Sequence, residues 1–169
     1  MSISSITETT QYLSFKLGEE IFAVDVAKVR EILDVIAITK VPQTPDFMRG
    51  VINLRGSVVP VMDMRLKFGM PPTERTVNTC IIVMEVTQNG ETMVLGSLAD
   101  SVQEVLDLEP EQIEPAPRIG TRLRSDFIKG MGKHNDRFII ILDIDRIFSG
   151  GELEVIAGVL NVEDQDEAA

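Results

Sequence analysis

Few side chains in this chain could do covalent or metal chemistry. Of 169 residues, one is a histidine (His134) and one a cysteine (Cys80). A metal site needs several such ligands to converge, and a thiol nucleophile needs a histidine or another cation beside it. His134 stands beside a hairpin turn, where a lone histidine reads as a solvated polar residue. Cys80 opens the apolar run "CIIVMEV" and reads as a small buried hydrophobe. Asp143 and Asp145 in "LDID" could share a cation, but the matching stretch "MDMR" keeps only Asp63 and puts Arg65 in the second place. Helix capping explains the acid that recurs. "GMGKH" at 130–134 would need glycine at Phe127 and a hydroxyl at His134 to be a phosphate loop. No serine stands in a strand–turn–helix elbow. Cofactor-free, non-catalytic chemistry is the expectation.

One charged residue remains conspicuous. "GVINLRGSVVPVMDM" at 50–64 is two apolar runs joined at Arg55-Gly56. Glycine suits a tight hairpin because it tolerates positive φ. A guanidinium at the same tip is not demanded by the turn, and its matching tip reads "KHND". Arg55 is therefore a candidate contact, whose planar fork suits a carboxylate partner.

The elements that must hold Arg55 come in two copies. "VREILDV" at 29–35 returns as "VQEVLDL" at 102–108, "DFMRG" at 46–50 as "DFIKG" at 126–130, and "VVPVMDMRLKF" at 58–68 as "FIIILDIDRIF" at 138–148. Three collinear matches indicate one folding unit used twice. Each copy reads as short alternating strands with turn signals between them, such as Asn89-Gly90 and Asn135-Asp136. Thr44 and Ser125 are read as caps of short helical turns ending at Gly50 and Gly130, and Asp63 and Asp143 as caps of the turns that follow them. Leu153, Ile156, Ala157 and Leu160 share a helical face, which predicts a short C-terminal helix docked on a barrel. The fold class is mainly β: two small five-stranded barrels in pseudo-symmetric relation.

Bulk properties agree with a soluble globular class: 44% hydrophobic residues, 25% charged, and no apolar run of membrane-spanning length. The net charge of −11 argues against nucleic acid, which needs clustered basic residues. The polar start carries no secretory pattern, and with a single cysteine this points to a reducing cytoplasm. The expected organisation is a disordered lead over 1–10, one domain over 11–160 and an acidic disordered tail over 161–169. Barrel one would cover about 11–75 and barrel two about 76–150, with exchange of strands between them left open.

The strings "KVREI", "TPDFMRGVINLRGSVVPVMDMRLKF" and "EPAPRIGTRLRSDFIKGMGKHNDRFIIILDIDRIF" resemble the CheW family of bacterial chemotaxis coupling proteins, over roughly residues 11–148. Met62, Met64 and the polar "GSLADSV" are small departures. The resemblance implies two intertwined SH3-like barrels with a hydrophobic groove between them. It implies a non-catalytic adaptor, monomeric on its own, cytoplasmic and recruited to membrane-associated receptor arrays without inserting into the membrane. Its partners would be the helical-hairpin tips of chemoreceptors and the regulatory domain of the histidine kinase CheA. Carried over by position, Val29, Glu31, Ile32, Gly50, Asn53 and Arg55 would serve those contacts, with Val102 and Val105 on the matching face of the second copy. The four apolar residues suit a groove floor; the alternative is that they are barrel core. Glu31 and Arg55 could pair across neighbouring strands. Rival readings are a coupling protein of another chemosensory system, serving pilus motility or development, and a small enzyme with a dispersed site.

Overall fold

The computed structural model describes residues 9–115 and 127–158. In chain order the strands are β1 (Thr10–Leu17), β2 (Glu20–Asp25), β3 (Val29–Asp34), β4 (Met48–Leu54) and β5 (Ser57–Asp63), then the one-turn helix α1 (Met64–Lys67). The second copy gives β6 (Cys80–Gln88), β7 (Glu91–Ala99), β8 (Ser101–Leu108), the two-residue β9 (Ile113–Glu114), β10 (Ile128–His134) and β11 (Arg137–Leu142). A helix, α2, follows over 150–158.

The strands form two curled sheets whose orders correspond: β3-β6-β7-β5-β4 and β8-β1-β2-β11-β10-β9. Each sheet takes a hairpin from the other copy. The β6–β7 hairpin completes the sheet of β3, β4 and β5, and the β1–β2 hairpin completes the sheet of β8, β10 and β11. We call the first barrel one and the second barrel two. Parallel pairings β5 with β7 and β2 with β11 stitch the exchanged hairpins in.

Duplication in the sequence is duplication in register. The ladder of β3 on β6 shifts between Val29 and Glu31, and that of β8 on β1 shifts at the matching place, between Val102 and Glu104. The β4–β5 ladder shifts between Met48 and Gly50, the β10–β11 ladder between Ile128 and Gly130. Asp63 N–H donates to Phe47 O at 2.6 Å and Asp143 N–H to Phe127 O at 2.8 Å. Matching bulges at matching residues bend both sheets the same way.

Alternation along each strand sends side chains to two kinds of core. Ile52, Val59, Val61, Ile81, Val83 and Leu98 fill barrel one. Tyr12, Ala23, Leu106, Leu108, Ile139 and Ile141 lie in the core of barrel two. The largest cluster belongs to neither. It lies between the barrels and includes Leu13, Phe15, Phe22, Ile82, Met84, Phe68 and Phe127.

Aromatic pairs at this junction mirror each other across the duplication: Phe47 packs on Phe148 with centroids 5.4 Å apart, and Phe127 on Phe68 at 6.1 Å. Lys67 lies among them, its Nζ 5.0, 5.7 and 5.8 Å from the ring centroids of Phe47, Phe127 and Phe148. Glu152 of α2 accepts two hydrogen bonds from that ammonium, at 2.8 and 2.7 Å. Ser149 and Glu152 form a reciprocal capping box that starts α2. Leu153 and Ile156 then bury the apolar side of α2 in the central cluster, as the sequence pattern predicts; Leu160 lies outside the described residues.

Two expectations change. Residues 44–50 hold no helix: Met48 N–H closes a single turn on Pro45 O, and the Thr44 hydroxyl donates to Val41 O instead of capping. Gly50 lies within β4, because Met48–Leu54 is claimed by ladder pairing with β5. Gly130 lies in β10 likewise, and Ser125 is outside the described residues. The third strand, for which the apolar run "VREILDVIAITKV" predicts an end at Pro42, stops early, at Asp34, and among the described residues the chain rejoins the sheet through the Thr39–Val51 bridge.

The recurring aspartates do cap. Asp63 and Asp143 accept from Arg65 N–H at 3.1 Å and Asp145 N–H at 3.3 Å. Asp63 is fully buried and also accepts from Arg49 Nη1 (3.0 Å), Thr73 N–H (2.9 Å) and Thr73 Oγ1 (2.8 Å). Among the described residues, Asp143 has besides its cap only a long ion pair with Arg146, at 3.7 Å. Asp63→Ala should therefore cost about 2–4 kcal/mol, since it strands buried donors, and Asp143→Ala only about 1 kcal/mol, the value of a cap. Urea unfolding of both variants checks this; equal losses would contradict it.

Glu152 adds a pH dependence. Partial burial pushes its carboxyl up, but hydrogen bonds from Lys67 and the Ser149 N–H, with the Lys67 charge, outweigh that and hold it below the ordinary 4.5. A depressed folded-state value stabilises above the unfolded value and loses that contribution as pH falls through the folded one. The stability difference between wild type and Glu152→Gln should be full at pH 7 and fade below about pH 4, as read from paired melts across pH. A difference that persists unchanged into acid would contradict the assignment.

Candidate functional site

The β4–β5 hairpin turns through Arg55 (φ 51) and Gly56 (φ 88), and Gly56 N–H donates to Asn53 Oδ1 at 2.9 Å. Two other hairpins carry asparagine at the corresponding left-handed position, Asn89 (φ 51) and Asn135 (φ 52). Asparagine tolerates that conformation and arginine does so less readily. The turn itself therefore gives no reason for Arg55.

Its side chain does. Arg55 makes a bidentate pair with Glu31: Nη1 reaches Oε1 at 3.3 Å and Nη2 bonds Oε2. Glu31 sits on β3 and Arg55 at the end of β4, and these are opposite edges of their sheet. The pair spans the seam of a curled sheet rather than joining neighbouring strands, because curling brings the two edges together. Arg55 remains 69% exposed on its side chain, and Glu31 29%. The guanidinium is held in place while most of its surface faces solvent.

Barrel two has a counterpart that the sequence does not announce. Glu104 of β8, the match of Glu31, lies 3.7 Å from Nε2 of His134, which ends β10 beyond its pairing with the short edge strand β9. His134 is thus a partly buried seam residue and not a freely solvated one. Ser14 is buried and fastens the bulge by donating to Glu104 O at 2.9 Å.

The four apolar candidates all face the space between the barrels. Val29 pairs with Met84 and Ile32 with Ile82; Val102 pairs with Phe15 and Val105 with Leu13. All four partners belong to the central cluster, and directly paired residues point to the same face. Val29 and Val102 pack against that cluster. Ile32 and Val105 lie on the edge strands β3 and β8 and stay 45% and 53% exposed. The central core therefore continues outward onto an uncovered apolar strip. Neither pure core nor pure groove describes the set: two residues form its floor and two its open margins.

Gly50 plays a different part. It has φ 147, and a Cβ there would lie 2.1 Å from Thr39 O. Glycine is required so that β4 and the returning chain at Thr39 can approach. Asn53 is an exposed residue of β4 whose Oδ1 accepts from the turn's Gly56 N–H.

Cys80 is buried; burial pushes its thiol up, and the charge of Asp34 pushes the same way, against a backbone hydrogen bond at Val102. Such a thiol is not activated. Among the described residues, no group of three or more His, Cys, Asp or Glu could hold a metal, and no helix is long and apolar enough to cross a membrane.

Two sheets exchanging hairpins around a shared core, with an apolar strip and fixed charge pairs at the seams, define a binding module. The CheW-like domain family matches residues 11–152, and the chain belongs to that family. It is 37% identical over 149 residues to the chemotaxis protein CheW of Klebsiella aerogenes, covering 88% of this chain and 87% of that protein. A probable chemotaxis protein CheW of Rhizobium etli is 35% identical over 85% of this chain and 90% of its own length. The crystal structure of the scaffolding protein TtCheW from Thermoanaerobacter tengcongensis superposes with a TM-score of 0.75 at 33% identity, covering 85% of this chain and 90% of that one.

Gly50→Ala should destabilise by at least about 2 kcal/mol, since backbone and not a flexible side chain blocks the added methyl. Chemical unfolding checks this. A near-neutral Gly50→Ala would contradict the steric role given to Gly50.

Proposed function

We propose that this protein is a chemotaxis adaptor that couples the cytoplasmic tips of chemoreceptors to the regulatory domain of the histidine kinase CheA. The observation that carries the reading is the strip of Val29, Ile32, Val102 and Val105, which extends the inter-barrel core to solvent. A receptor tip is a helical hairpin, and helices dock by laying an apolar face into such a groove. The names of the relatives, chemotaxis proteins and a scaffolding protein, support the same role.

Arg55 supplies the polar part of the contact. Glu31 takes one N–H from each terminal nitrogen, and the second N–H of each, with Nε–H, can serve a partner's carboxylate or carbonyl. The pair lies beside Val58, Val59, Val83 and Met93, so the charge borders an apolar recess. Holding the guanidinium in the free protein lowers the ordering cost on binding. The adaptor forms and breaks no bond; it works by holding receptor and kinase close together, which raises their effective concentration.

Titration of purified receptor tips and kinase regulatory domain against variants, with thermal melts alongside, tests this. Val105→Asp should abolish receptor-tip binding, because a carboxylate on the apolar strip must be desolvated without a partner. Arg55→Ala should keep the melting temperature within a few degrees, as an exposed pair contributes about 0–1 kcal/mol. It should still weaken at least one of the two interactions by roughly 1–3 kcal/mol, and Arg55→Lys should restore only part. Unchanged affinities for Val105→Asp and Arg55→Ala would reject the reading.

A further inference from the structure

Lys67 breaks the duplication at its most central point. Its match in the second copy is Ile147, an apolar residue with no exposed surface in the same inter-barrel core. Where that copy packs a hydrocarbon, the first places an ammonium whose side chain is only 15% exposed. A cation this far from water needs compensation, and it has both kinds. Three aromatic faces surround it within 5.8 Å, and the Glu152 carboxylate bonds it with both oxygens.

The groups that hold Lys67 come from different parts of the fold. Phe47 stands just before β4 of barrel one. Phe127 precedes β10 of barrel two, and Phe148 follows β11. Glu152 belongs to α2, which packs beside Met93 of β7 in barrel one. A single ammonium thus ties barrel one, barrel two and the C-terminal helix at the joint on which their relative setting depends. The exchanged hairpins hold the barrels together through backbone ladders; within that limit apolar contact is nondirectional and tolerates small slides, whereas a cation fixed by a carboxylate and three ring faces has one position.

We infer that Lys67 is a positioning residue for the inter-barrel groove, setting the relation of the two barrels so that the margins at Ile32 and Val105 meet one helical partner together. This deepens the proposed function and rests on its groove reading. Lys67 touches no partner in this account; it acts through Phe47, Phe127 and α2. The C-terminal helix thereby becomes part of the binding apparatus at a distance.

The test reads geometry and binding separately. In a Cys80→Ala background, cysteines at Glu19 on barrel two and Glu91 on barrel one, both exposed, carry spin labels for pulsed distance measurement. Lys67→Met keeps the apolar stem and removes the charge, and Glu152→Gln serves as a second, milder variant should Lys67→Met fail to fold. The expected result is a shifted or broadened inter-barrel distance in each variant, with affinity for a soluble receptor-tip hairpin lowered on the order of tenfold for Lys67→Met.

An unchanged distance distribution in both folded variants overturns the inference, whatever binding does. A changed distance with unchanged affinity also overturns it, because the setting would then not matter to the groove. If the wild type itself binds no receptor tip, the groove reading fails, and the inference about the groove with it. The distance arm would still show whether Lys67 sets the joint.

Discussion

The exchange of hairpins is the constraint on which everything else rests. Neither sheet can close from contiguous chain: barrel one needs β6 and β7 from the second copy, and barrel two needs β1 and β2 from the first. The parallel pairings of β5 with β7 and β2 with β11 cannot form until both copies are present. The barrels are therefore bound to each other by backbone hydrogen bonds as well as by apolar contact. This makes the space between them a defined surface and not a loose domain boundary, where relative motion would be expected. A groove built at such a joint can keep its shape without a partner.

Symmetry and its breaking divide the labour. What the copies share is structural: the ladder shifts at Glu31 and Glu104, the bulges at Gly50 and Gly130, the mirrored aromatic pairs, the capping aspartates. What they do not share is where the proposed function acts. Arg55 faces Glu31 where His134 faces Glu104, so one seam carries a permanent bidentate pair and the other a longer single contact. Lys67 stands against Ile147. Asp63 gathers Arg49 and Thr73 where Asp143 has a distant Arg146. A duplicated fold can vary one half this way while the other keeps the shared architecture intact.

Much of this is legible in the residues, for reasons that can be named. The repeats "VREILDV" and "VQEVLDL" are visible because strand register punishes any change of period, and the turns show because left-handed backbone selects Asn and Gly. Other features are hidden for equally physical reasons. Alternation says which face of a strand is apolar, but not which hairpin it will join, so the exchange cannot be read from the pattern. "TPDFMRG" has the cap chemistry of a helical turn, yet pairing with β5 claims those residues as strand. The bulge at Gly50 depends on the approach of Thr39, a contact that no local signal encodes. Glu31 and Arg55 show their complementary charges, but the seam that joins them exists only once the sheet has curled. Nothing in the sequence marks Lys67, since a lysine is buried only when its partners converge from distant sequence, and Phe127 and Glu152 are far along the chain.

The central claim is that one apolar strip between the barrels, margined by β3 and β8, receives a helical partner. Backbone amide shifts of the isotopically labelled protein, followed while an unlabelled receptor-tip hairpin is added, test it most directly. Perturbations are expected to concentrate on Val29–Asp34 and Val102–Leu108, on both barrels in the same titration and with one shared affinity. Perturbations confined to one barrel, or gathered on surfaces that leave β3 and β8 unchanged, would contradict it.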